Sequence, residues 1–104
     1  MRKLPENIEN VLNKFFASIR QKEFYKAAVH ADITSAKLAV LFKDIKIIEI
    51  VFGKASRVSH FCYSQVLTLE YKKSDSYKIK SFKVLIVKNV DNDIWQVLTT
   101  VFKF

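Results

Sequence analysis

The 104-residue chain has a single cysteine, Cys62. A lone thiol closes no internal disulfide and gives no second sulfur for a zinc knuckle, so Cys62 is expected as a small buried hydrophobe. Glycine and proline also occur once each, at Gly53 and Pro5. That scarcity excludes collagen-like, linker-rich and low-complexity organisation. The two histidines, His30 and His60, form no HExxH-type spacing, so neither a metal site nor a cofactor is expected. Apolar runs such as that from Ile47 to Phe52 are broken by charge well short of the roughly 20 residues of a membrane helix. The opening stretch MRKLPENIEN carries no signal-like apolar segment. A cytoplasmic location is therefore expected, unless the chain is the mature part of a secreted protein.

Acidic residues are scarce as well, 10 against 18 basic ones, for a formal charge of +8. Fifteen of the basic residues are lysines, and only Arg2, Arg20 and Arg57 could grip a phosphate or a guanine edge bidentately. A lysine surplus of this kind favours solubility, with long-range attraction to acidic partners as a lesser expectation.

What the chain does have is apolar bulk. Half of it is hydrophobic, with nine Phe, four Tyr and one Trp. A chain of this length buries roughly two-thirds of its unfolded surface around one core, so residues 1–104 are read as a single domain.

From Leu4 to Ile19, the residues Ile8, Val11, Leu12, Phe15, Phe16 and Ile19 recur at helical spacing. Pro5 suits the first turn, and Glu6 and Glu9 oppose the positive end of the helix dipole. KEFYKAAVHA reads as a shorter helix with Phe24, Ala27, Ala28 and Ala31 on one stripe. Asp32, Thr34 and Ser35 offer caps for a third helix, running to about Lys43. The next segment, Ile45 to Phe52, is ambiguous. Its stripe continues a helix that Gly53 would stop in the left-handed region, yet its β-branched residues favour a strand.

From Arg57 onward the period is two. Phe61, Tyr63, Leu67, Leu69 and Tyr71 alternate with His60, Cys62, Ser64, Thr68 and Glu70 in one strand reaching Lys72. Ser74, Asp75 and Ser76 make a turn into a strand from Ile79 to Val90, where Phe82, Val84, Ile86 and Val90 alternate against Ser81, Lys83, Leu85 and Val87. Asn89, Asp91, Asn92 and Asp93 make the next turn, into a last strand from Ile94 to Phe104. Three long antiparallel strands should curl around the helices, giving an α+β fold. The last strand is apolar on both sides, with Trp95, Val97 and Val101 opposite Ile94, Leu98, Phe102 and Phe104. Helices cover one sheet face only, so Trp95, Val97 and Val101 are read as an interface with a second copy or another protein.

The segments VLNKFFASIRQKEFYKAA, FGKASRV and DNDIWQVLTTVF, in that order, resemble the cystatin-like superfamily that includes nuclear transport factor 2 and ketosteroid isomerase. The likeness spans nearly the whole chain and rests on pattern. It implies a cystatin-like cone, a strongly curved antiparallel sheet around the first helix with a pocket at its open end. It implies no activity, since that fold carries enzymes, adaptors, assembly domains and ligand binders. Isomerase-type members place acids and tyrosines inside the cone, and no such set can be transferred to residues of this chain. The balance is against an enzyme, and no catalytic residue is assigned.

The leading expectation is a noncatalytic binding or assembly module that self-associates through its sheet as a homodimer. One alternative is a binder of a small apolar ligand, or an enzyme, using Tyr25, His60 and Tyr63 as polar anchors at the pocket mouth. Another is nucleic-acid binding through a basic patch of Lys72, Lys73, Lys78, Lys80 and Lys83 with interleaved tyrosines. Edge protection is the competing reading of those lysines. His60 and Cys62 would share a strand face, but residues two apart lie about 6–7 Å apart along it, beyond hydrogen-bond reach.

Overall fold

The apolar stripe of the opening segment winds as predicted in the computed structural model, which describes residues 3–104. Helix α1 (Glu6–Arg20) buries Ile8, Leu12, Phe15, Phe16 and Ile19. The Pro5 carbonyl accepts the N–H groups of Ile8 and Glu9 at 3.0 and 2.9 Å, occupying donors that a helix start leaves free. Two short helices follow, α2 (Phe24–Ala28) and α3 (Ser35–Leu41). The Thr34 hydroxyl caps α3 by accepting from Lys37 N–H at 3.3 Å.

Four strands then form one antiparallel sheet in sequence order: β1 (Ile45–Ser59), β2 (Cys62–Lys73), β3 (Ser76–Asn89) and β4 (Ile94–Val97). The sheet is curled but not closed. The fold is therefore α+β, with N-terminal helices on a curved antiparallel sheet, as the alternating patterns indicated. No helix among the described residues is long and apolar enough to cross a membrane.

Three details differ from the sequence expectation. First, the ambiguous segment is strand: Ile45 to Phe52 opens β1. The helix stops at Phe42, and the chain reverses through Asp44 in the left-handed region at φ 62°. Gly53 lies inside the strand and has no positive φ. Second, the strand expected to run unbroken from Arg57 to Lys72 turns at His60–Phe61, where Ser59 pairs with Cys62. SHFC signals a turn only weakly, through Ser59. It is held by the Ser59 hydroxyl, which accepts Phe61 N–H at 3.2 Å, and by Lys88 N–H bonding to the Phe61 carbonyl at 2.9 Å.

Third, the last strand is short. It ends at Val97, so the alternation expected through Phe104 is lost, and Phe102 and Phe104 both pack on the core. Phe102 is 2% exposed, with ring centroids 5.4 Å from Phe82, 5.7 Å from Phe42, 5.9 Å from Phe16 and 6.3 Å from Phe15. The tail thus closes an aromatic cluster between the helices and the covered face of the sheet. Pairs at these separations contribute about 0.5–1.5 kcal/mol each beyond area burial.

Candidate functional site

Register decides which side chains share a surface. Leu67 pairs with Phe52 and Phe82, Leu69 with Ile50, and Tyr63 with Ile86, which together form the face under the helices. The alternate residues form the open face: Thr68 pairs with Val51 and Ser81, Val66 with Lys83, Glu70 with Glu49 and Ile79, and Lys72 with Lys46 and Tyr77. On this open face Val51 is 56% exposed, Ile79 62%, Tyr77 53% and Val66 37%. Leu85 and Val87 continue it, half-buried. Tyr77 also donates its hydroxyl proton to Glu70, and that hydrogen bond holds the phenol above its usual range.

The residues proposed from sequence for a pocket mouth stand apart. Tyr25 projects from α2 beneath no helix or strand, 67% exposed, with the Lys26 ammonium 6.0 Å from its ring centre. His60 sits exposed in the β1–β2 turn beside the Arg57 guanidinium. Tyr63 lies half-buried on the covered face, its ring centroid 5.7 Å from that of Trp95. No hydrogen bond or ring contact among the described residues joins the three. Cys62 begins β2 half-buried, where burial raises its thiol pKa and so disfavours thiolate.

Strand alternation also divides the lysines. Lys72 and Lys83 lie on the open face, whereas Lys73, Lys78 and Lys80 share the other with Tyr71. There the Lys73 ammonium donates to the Phe104 carbonyl at 2.9 Å, and Lys80 donates to that of Lys103. The cluster therefore holds the tail of the chain over the end of the sheet. Of the residues read as an interface, Val97 is fully buried and Trp95 and Val101 are half-buried against the core. Val97 faces inward because it pairs with Ile86 on the covered face, and its N–H bonds on the other edge to the His30 carbonyl at 2.7 Å. Exposed apolar side chains occur instead on the open face of β1 to β3, at Val51, Val66, Tyr77 and Ile79, on residues whose alternation was readable but whose outward direction was not. Arg2 lies outside the described residues.

Several concavities touch the covered face, among them one beside Phe16, Ile50 and Phe52 and one beside Tyr71 and Phe104. A cleft of about 380 Å³ opens where α1 begins, between Leu4 and Leu12 on one side and Phe52, Gly53 and Gln65 on the other. Among the described residues, no group of three or more His, Cys, Asp or Glu side chains is placed to hold a metal ion. Compared with family models, curated proteins and solved structures, the chain gave no match in any of the three.

Proposed function

We propose that this chain is a noncatalytic binding and assembly module of cystatin-like architecture that pairs with a second copy of itself through the open sheet face. The observation carrying the reading is that Val51, Val66, Tyr77 and Ile79 leave apolar side chains exposed on the open face of β1, β2 and β3, interleaved with Thr68, Glu70, Lys72 and Lys83. Leaving such surface in water is costly at about 25 cal/mol per Å², and four exposed apolar side chains on one sheet face favour a partner that covers them. The order of three helices and a curled four-stranded sheet is compatible with the cystatin-like arrangement.

Charge argues for a second copy as the occupant. The chain is strongly basic overall, but this face carries Glu49 and Glu70 beside Lys46 and Lys72. A two-fold axis brings the same face against itself, so lysines of one copy can meet glutamates of the other between the apolar side chains.

Sedimentation equilibrium over micromolar to submillimolar concentration tests the reading. A concentration-dependent dimer is expected, and Val51→Glu with Ile79→Glu should give a folded monomer. A wild-type monomer across that range overturns the proposal.

A further inference from the structure

Gln65 lies on the covered face of β2, between Tyr63 and Leu67 in the alternation, and is only 4% exposed. An amide in that position is costly unless its polar atoms are bonded. Its Nε2 uses both protons, donating to the Gly53 carbonyl at 2.9 Å and the Val66 carbonyl at 2.7 Å. Because both partners are acceptors, the orientation of the amide is fixed, and Oε1 points away from them. That oxygen accepts no hydrogen bond from the described residues. It is not sealed in either, since no buried side-chain oxygen or nitrogen lacks a partner. Gln65 lines the cleft at the start of α1, so the remaining access of this acceptor is through the cleft.

A second observation is independent of the first. Phe52 pairs with Leu67 and so faces the core side of the sheet, yet it is 45% exposed. Its ring forms a wall of the same cleft, opposite Leu4 and Leu12, which are themselves buried. The cleft thus combines apolar walls with one buried unclaimed acceptor, and Asn13 adds an exposed amide to its lining. At its rim, Lys3 and Glu9 pair with each other at 3.8 Å.

We propose that this cleft binds a small, neutral, largely apolar molecule whose single hydroxyl or N–H group donates to Gln65 Oε1. Neutrality follows from the buried acceptor, an amide oxygen that repels an anion and cannot alone offset desolvation of a cation, and from Lys3 and Glu9, whose opposite charges pair with each other in the lining. A volume of about 380 Å³ lies at the small end of ligand pockets and suits one or two rings. The site is separate from the open face proposed for assembly.

The test uses three donor probes, phenol, indole and 1-naphthol, each beside its methylated counterpart: anisole, N-methylindole or 1-methoxynaphthalene. Titration of the full chain is followed by nuclear magnetic resonance at Leu12, Phe52 and Gly53. At least one donor is expected to give saturable shifts there, with its methylated partner about tenfold weaker because Oε1 is left without a proton. Gln65→Met, which keeps length but removes the acceptor, should abolish that preference. Should the variant fail to fold, the wild-type comparison still decides. The proposal is overturned if no donor shifts those signals, if donor and methylated forms bind equally, or if the shifts map elsewhere.

Discussion

The Asp32 carboxylate accepts two hydrogen bonds from Thr99, one from the backbone N–H at 3.0 Å and one from the hydroxyl at 2.8 Å. The two residues are 67 apart in sequence and meet where the chain leaves the sheet. Hydrogen bonds to a charged acceptor contribute about 1.5–3 kcal/mol each, and Thr99 is buried. Asp32→Ala is therefore expected to destabilise the fold by about 2–3 kcal/mol, and Asp32→Asn by less because it keeps an acceptor. Thr99→Val removes the hydroxyl alone and should cost about 1 kcal/mol. Urea unfolding of the three single variants and of the Asp32→Ala, Thr99→Val double variant checks this. Effects that simply add would show that the two side chains are not coupled.

The tail beyond this clasp inserts Phe102 among the Phe15, Phe16, Phe42 and Phe82 rings. Phe102→Ala should cost about 3–5 kcal/mol, a large share of the roughly 5–15 kcal/mol that holds a domain of this kind. Thr100→Ala, an exposed change in the same segment, should cost under about 0.5 kcal/mol. Chemical denaturation separates the two, and comparable losses would refute the assigned role of Phe102.

These contacts mark where sequence reasoning held and where it ended. The helical stripe of α1 and the inward set Leu67, Leu69, Tyr71, Phe82, Val84 and Ile86 were readable because each repeats a period that burial imposes, whereas Phe61 and Val90, read on the same faces, lie exposed at turns. The turns at Ser74 and Asp93 were readable from their polar residues. The His60–Phe61 turn was not, because neither residue carries a turn preference and Ser59 is a weak signal on its own, while pairing of the flanking strands and the Ser59 hydroxyl set the geometry. Asp32 reads as a helix cap, but Thr34 caps α3 and Asp32 reaches across to Thr99. The Gln65 cleft had no local signature, since its walls come from three separate segments.

His30 gives the fold a predictable response to acid. Burial, and secondarily the Lys14 ammonium, hold its pKa below the ordinary 6.5. The unfolded chain then binds a proton that the folded chain disfavours, so stability from this residue is full above the unfolded value. It is lost as pH falls below about 6.5 and levels off once pH passes below the folded value. Thermal unfolding of wild type and His30→Gln between about pH 7.5 and 5 isolates the contribution. The wild type should lose more stability across that range, and parallel profiles would contradict the assignment.

Glycine placement supplies the last prediction, because the sole glycine is not where the backbone turns left-handed. Lys22, Asp44, Ser74 and Asp93 hold positive φ of 53–62°, while Gly53 does not. Ser74 lies in the two-residue link between Lys73 and Ser76, and its N–H bonds to the Asp44 carbonyl at 2.9 Å. A side chain in that region is strained by roughly 1–2 kcal/mol, so Ser74→Gly should stabilise the hairpin by up to about 1 kcal/mol. Ser74→Val, β-branched and poorly suited to φ near 53°, should destabilise it. At Gly53 the opposite logic applies. An added Cβ would meet Val66 atoms at 3.4–3.6 Å, ordinary contact in an extended strand. Gly53→Ala should therefore hold or raise stability by a few tenths to about 1 kcal/mol, chiefly by restricting the unfolded chain. Melting temperatures of the three variants check the whole set. A large loss in Gly53→Ala would mean that the strand requires glycine there for a reason other than backbone conformation.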